Sequence, residues 1–227
     1  MIELKSVTKV FHQGLPNEFR AVDAVDLTIQ PNRITVLRGP SGSGKTTLLS
    51  MIGCLARPTS GRILLHGRNL SGLPERFLTG VRRQTFGFTF QRFNLIQGLS
   101  VLDNVMLPAF PLAPDHAELV ARAQALLDQF GLAPKAAARV EWLSGGEAQR
   151  TAICRALIND PRILIADEPT ANLDSRLSRE LIALIGELTD MGKTVLVSSH
   201  DPIVFDAARV SKVIELSDGR LAENRPC

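Results

Sequence analysis

Apolar and polar residues alternate along Ile2–Phe11 and again along Ala21–Ile29, with β-branched side chains in both stretches. That period of two predicts two antiparallel strands, and Pro16 and Asn17 mark the loop between them. A short apolar run, Ile34–Leu37, predicts a buried strand; a Gly-rich turn follows it, then a helical run over Thr46–Ile52. Arg62–His66 and Gly87–Phe90 read as two more strands.

The character changes between Val101 and Lys135, where strand signals nearly vanish. Leu119, Val120, Ala123, Leu126, Leu127 and Phe130 recur at helical spacing and predict an amphipathic helix over Asp115–Phe130. After Ser144 the alternation of helix and buried strand resumes. A helix to about Asn159 precedes strands Ile163–Ala166, Thr194–Ser198 and Val210–Leu216, and the helix Arg176–Met191 lies between the first two strands. Apolar strands alternating with helices imply a mostly parallel sheet covered on both faces. The expected fold is therefore a single α/β domain over residues 1–227. Its core is residues 1–90 and 160–227 with an N-terminal antiparallel β subdomain, and about 91–159 form a helical insertion.

Composition narrows the class without naming a function. Hydrophobic residues make up 44% and charged residues 22%, ordinary values for a globular chain. A net charge of +3 is too small to imply nucleic acid. Cys54, Cys154 and Cys227 are odd in number and unpaired in spacing, so neither a disulfide framework nor a zinc site is expected. Cys54 and Cys154 read as core residues, Cys227 as a tail residue, and a reducing cytosol fits. Met1–Lys9 lacks the apolar centre of a signal peptide, and no apolar run approaches the ~20 residues that span a bilayer. Work at a membrane would then proceed through a partner, without direct insertion.

Gly39-Pro40-Ser41-Gly42-Ser43-Gly44-Lys45-Thr46 fills every fixed position of the phosphate-binding loop, and Thr47 continues into the helix. Its glycines let successive N–H groups face one concavity, and the helix start adds its positive dipole end. Lys45 then suits the β- and γ-phosphates of a nucleotide, and the Thr46 hydroxyl suits Mg²⁺. A Gly-rich turn that merely contains a lysine leaves the strand–loop–helix frame unexplained. The run Arg162–Asp167 predicts a buried strand ending in Asp167 and Glu168. Acids at the C-terminal end of a parallel strand lie where ligands bind in open α/β sheets. Asp167 is thus a candidate metal ligand, and Glu168 a candidate general base for the attacking water.

These features make a nucleotide hydrolase or transferase without choosing among them. Leu143-Ser144-Gly145-Gly146-Glu147 opens the next helix. Ser144 and Glu147 form a capping box, which explains a well-capped helix but not two glycines in its first turn. Each glycine costs ~1 kcal/mol there against alanine, which makes sense if a phosphate must approach the backbone.

Here the chain resembles the ABC ATPase family, whose signature is a Leu-Ser-Gly-Gly-Gln-type sequence; Glu147 stands where Gln is usual. The resemblance covers nearly the whole chain. It implies ATP and Mg²⁺ as ligands, and a homodimer in which Ser144, Gly145, Gly146 and Glu147 of one copy face the γ-phosphate in the other. It further implies that Gln91 senses Mg²⁺ and the γ-phosphate, that Ala171–Asp174 is the interface loop, and that His200 contacts the γ-phosphate. Phe11 takes the place of the family's adenine-stacking tyrosine, with a plain core role as the alternative. His12, His66 and His116 stay outside the site.

The phrases Gly87–Leu95, Leu102–Pro108, Ala166–Thr170 and Ala171–Asp174 resemble the bacterial group of lipoprotein-release, macrolide-export and FtsE-like cell-division ATPases. That implies a peripheral subunit on the cytoplasmic face of the inner membrane, paired with integral membrane permease subunits. Phe90, Phe93, Leu95, Ile96 and Leu99 are candidates for the docking surface. A non-transport regulator of wall hydrolases would carry the same catalytic residues. DNA-repair and translation ATPases of this superfamily carry long insertions that the interval Lys45–Leu143 lacks.

Overall fold

The computed structural model describes residues 1–222; Cys227 lies outside the described residues. Strand β1 (Ile2–Phe11) pairs antiparallel with β2 (Phe19–Ile29), in a register that sets Phe11 opposite Phe19. Next come β3 (Ile34–Arg38), helix α1 (Lys45–Ile52), β4 (Ser60–Leu65) and the short β5 (Arg68–Asn69). These give an antiparallel sheet ordered β2-β1-β4-β5. The expected strand at Arg62–His66 starts two residues earlier, because Ser60 pairs with Thr8 of β1.

Helix α2 (Glu75–Thr85) precedes β6 (Phe86–Thr89). It escapes a pattern reading because Leu78 is its one buried residue. Helices α3 (Val101–Met106), α4 (His116–Gln129) and α5 (Gly145–Leu157) follow, then β7 (Ile163–Asp167), α6 (Ser175–Asp190), β8 (Thr194–Ser199), α7 (Pro202–Phe205), β9 (Val210–Ser217) and β10 (Arg220–Leu221). The second sheet runs β10-β9-β3-β8-β7-β6, parallel throughout except for the terminal β9–β10 pair.

The period-two pattern of its strands divides the core. Ile34 and Val36, Leu164 and Ala166, Val195 and Val197 join α3–α6 in one apolar cluster. Leu37, Ile163, Ile165 and Leu196 join α1 and the antiparallel sheet in another. Both faces of the sheet's central strands β3, β7 and β8 are therefore covered, which is why they read as apolar runs, whereas β9 near the sheet's edge alternates buried and exposed residues. The helices of residues 91–159 share their cluster with the sheet, and α5 closes on β6 so tightly that a Cβ on Gly87 would lie 2.3 Å from the Ala156 carbonyl oxygen. Cys54 and Cys154 are both buried, and burial pushes their thiols up, to about 11 and about 12.

Candidate functional site

Strand β3 stops at Arg38 and the chain folds into a loop between two other backbones. A Cβ on Gly39 would stand 2.1 Å from the Leu216 carbonyl oxygen of β9, and one on Gly44 2.3 Å from that of Ala21 in β2. Gly44 also takes a left-handed φ of 99° as it caps α1. Glycine at these two positions is required by close packing as well as by the loop's turn. The result is a cavity of about 280 Å³ lined by Ser41 to Thr47, with Gln91, Glu168, His200, Phe19 and Ala21.

Lys45 is buried, and its Nζ donates to the carbonyls of Gly39 (2.8 Å) and Pro40 (3.0 Å). The hydroxyl of Ser43 is buried without a hydrogen-bond partner among the described residues. Strand β7 brings its two acids to neighbouring loop residues. The Thr46 hydroxyl donates to Asp167 Oδ2 at 2.8 Å, and the Ser198 hydroxyl donates to the other carboxylate oxygen. Glu168 adopts a left-handed φ of 48°, a conformation that costs ~1–3 kcal/mol outside glycine. Its N–H donates to the Ser198 carbonyl and hydroxyl, which holds the turn. That turn carries its carboxylate away from Asp167, to 3.5 Å from Lys45 Nζ and 3.0 Å from His200 Nδ1.

Two hard oxygen donors, Thr46 at the start of α1 and Asp167 at the end of β7, fit Mg²⁺, and the Ser43 hydroxyl, partnerless among the described residues, lies on the loop before Thr46. The Gln91 side chain reaches the cavity, while its carbonyl accepts from Asn172 Nδ2 at 3.3 Å. Arg155 of α5 donates to the carbonyls of Phe93 and Asn94, both at 2.6 Å, and fastens that loop to α5.

Of the two aromatics at this corner, Phe19 is among the residues lining the cavity and Phe11, its pair partner, is not. Phe11 sits across the β1–β2 pair with the Lys9 ammonium 5.2 Å over its ring. Ser144, Gly145, Gly146, Glu147 and Asp174 are also absent from the described lining. Asp174 caps α6, accepting from the N–H groups of Arg176 and Leu177 at 2.9 Å each. At the start of α5 the capping box is present: Ser144 N–H donates to Glu147 at 2.8 Å, and Glu147 N–H to Ser144 Oγ at 3.3 Å. The Ser144 N–H holds the Glu147 carboxyl below its usual range, with further help from Lys135. Of the four N–H groups that open this helix, those of Gly145 and Gly146 remain without a hydrogen bond among the described residues. Gly146 has a second reason within the chain, since a Cβ there would meet Leu177 at 3.2 Å.

Sequence reasoning missed Ser198, Phe19 and Arg155, and it placed Asn172 in the interface loop without its bond to the Gln91 carbonyl. Ser198 was in view two residues before His200, but nothing along the chain shows a hydroxyl crossing to another strand's acid.

The comparisons with known proteins point one way. The sequence profile of the ABC transporter family matches residues 22–171. This chain belongs to the ABC transporter family. The macrolide export ATP-binding/permease protein MacB of Hyphomonas neptunium is 43% identical over 97% of this chain and 34% of its own length. The pyoverdine export ATP-binding/permease protein PvdT of Pseudomonas fluorescens is 42% identical over 96% of this chain and 33% of its own. The chain spans about a third of the length of the curated relatives it matches. Among solved structures, the dimeric bacterial ABC transporter cassette MJ0796 superposes with a TM-score of 0.89 at 40% identity, over 97% of this chain and 96% of that one. A post-hydrolysis state of the same cassette, bound to ADP and Pi, gives 0.89 at 39% identity. Two sheets plus an α3–α5 helical layer are thus an ABC cassette fold. Among the described residues of this cassette no helix is long and apolar enough to cross a membrane.

Proposed function

We propose that this cassette binds Mg-ATP, hydrolyses it between two copies of itself, and drives a membrane permease from the cytoplasmic face of the inner membrane. One observation carries the reading: the site is built in two unjoined halves. The cavity gathers Lys45, Thr46, Glu168, Gln91 and His200, with Asp167 bonded to Thr46 beside it, yet Gly145 and Gly146, whose N–H groups have no hydrogen bond among the described residues, lie outside its lining. A second copy supplies the missing donors, as the dimeric form of the related cassette suggests.

The residues divide the work. The loop N–H groups and Lys45 receive the phosphates. Thr46 and Asp167 hold Mg²⁺, with Gln91 beside them, and the ion when bound neutralises charge on the phosphate oxygens. Lys45 now shares its charge with Glu168 at 3.5 Å. An arriving phosphate competes for that ammonium, which frees the Glu168 carboxylate to take a proton from water. His200, 66% exposed at its side chain, is held to Glu168 at 3.0 Å and so is carried to the same edge of the cavity. Phe19 and Phe11 offer stacking faces for the base. Export is the favoured role of the permease because both relatives are named export ATP-binding/permease proteins. Ile96 is half-exposed in the stretch Phe86–Leu107 taken as the docking surface, and Phe110 and Leu112, in the adjoining helical insertion on the turn after α3, are about as exposed.

Mixing two inactive chains tests the shared site. A Ser144→Arg chain paired with a Lys45→Ala chain forms one intact composite site, so mixing restores ATP hydrolysis to a substantial fraction of wild type. Persistent inactivity of verified mixed dimers, or full activity of a strictly monomeric chain, overturns the reading.

A further inference from the structure

Trp142 is the single tryptophan of the 227-residue chain, which has no tyrosine. At 72% exposure it is the most exposed large apolar residue among those described. A rigid aromatic with so much area in water is the kind of side chain that anchors an interface. Its pedestal is fixed. Val140 N–H donates to Leu99 O at 3.3 Å, Trp142 N–H to Arg139 O at 3.1 Å, and Leu143 N–H to Val140 O at 3.3 Å. The Gly98 N–H donates to the Glu141 carboxylate, and backbone N–H groups hold that carboxyl below its usual range, so the clasp stays ionised near neutral pH.

The indole therefore stands on a stiff turn two residues before Ser144, within ~7 Å of chain from the start of α5. That is the surface which, on the two-copy reading above, meets the triphosphate held by the other copy. The receiving cavity has a matching deficiency. Phe19 is the one aromatic among its described lining residues; it is 56% exposed, and its pair partner Phe11 is 39% exposed. Phe19 and Phe11, paired across β1–β2, thus offer a base aromatic surface on one side and leave its other face open.

We propose that Trp142 of one copy covers the outer face of the nucleotide base bound in the other, so the base is packed between aromatic side chains only when two chains pair. The inference rests on the shared-site reading and adds to it a contact that makes pairing sensitive to the base as well as to the γ-phosphate.

The lone tryptophan makes this readable. In the Glu168→Gln chain, Mg-ATP should produce a dimer by light scattering and, with the same concentration dependence, quench or blue-shift the emission of Trp142. Ser144→Arg, which spoils both composite sites when two identical chains meet, should abolish the emission change in that chain alone while ATP binding to the monomer persists. Adding Trp142→Ala to Glu168→Gln should raise the ATP concentration needed for pairing by roughly five- to a hundredfold, the range of base–aromatic stacking. Trp142→Phe should recover most of it. Mg-tripolyphosphate, which has no base, should require the same concentration in Glu168→Gln with and without Trp142→Ala. An ATP-bound dimer with unchanged emission, or Trp142→Ala with unchanged ATP requirement, overturns the Trp142 contact and leaves the shared site standing. If Glu168→Gln forms no dimer at any ATP concentration, the shared-site reading falls and this inference falls with it.

Discussion

The phosphate-loop cavity and the start of α5 carry complementary chemistry but are finished to different degrees. In the cavity and at the strand end beside it the charged groups have partners: Lys45 holds loop carbonyls and Glu168, Thr46 and Ser198 hold Asp167, and His200 holds Glu168. The helix start spends its capping box on the outer two N–H groups and leaves the two glycine donors free. Buried charges are tolerable only when paired, so the cavity must be built within the chain. Exposed N–H groups can wait in water at little cost until an anion arrives. The difference is what the proposed division requires, with one region holding the nucleotide and the other reading it.

The sharpest attack on this division is Glu168→Gln, which keeps the cavity's shape and removes its base. Turnover should fall by ~10²–10⁴-fold with ATP binding retained, as steady-state phosphate release and a binding titration will show. Normal hydrolysis would reject Glu168 as the base. On the other side, Ser144→Arg fills the helix start with a long cation. Hydrolysis should drop by ~10²–10³-fold, the scale of losing oriented donors, while ATP affinity of the single chain stays within about twofold.

Gly145→Ala separates fold from function more finely. A Cβ there meets only the Asn172 carbonyl oxygen, at 3.4 Å, so thermal stability should hold or rise by up to ~1 kcal/mol as turnover falls. At Gly146 contact with Leu177 should cancel the helix gain, and an equal stabilisation at both positions would contradict the packing described. Asp174→Ala removes the α6 cap and should cost ~1 kcal/mol, a shift of roughly 2–4 °C in melting temperature.

The smallest effect is titration of Glu147. Its carboxyl sits below the usual 4.5, so its contribution to stability is full above that value and is lost as pH falls through the lowered one. Glu147→Gln should flatten that acid limb of the stability curve without moving the neutral-pH rate by more than about twofold. A large rate change would place the side chain on the phosphate instead of on Ser144.

Much of this was legible along the chain. The central strands β3, β7 and β8 announced themselves because burial on both faces leaves little polar alternation, and the glycine-rich loop because its glycines and lysine occupy fixed places. Helix α2 stayed hidden because only Leu78 anchors it. The capping box at Ser144 was readable because its partners are three residues apart; the clasp of Ser198 on Asp167 joins residues 31 apart and was not.

The sequence by itself determined the fold class, the two phosphate-facing motifs and the order of acid, base and histidine, because each depends on local spacing or periodicity. Tertiary structure alone decided that Phe19 joins the cavity lining, that Glu168 turns through a left-handed residue toward Lys45, and that the α5 donors lie outside that lining. Those outcomes depend on which distant backbones pack together, and no local pattern encodes a distance between residues far apart in the chain.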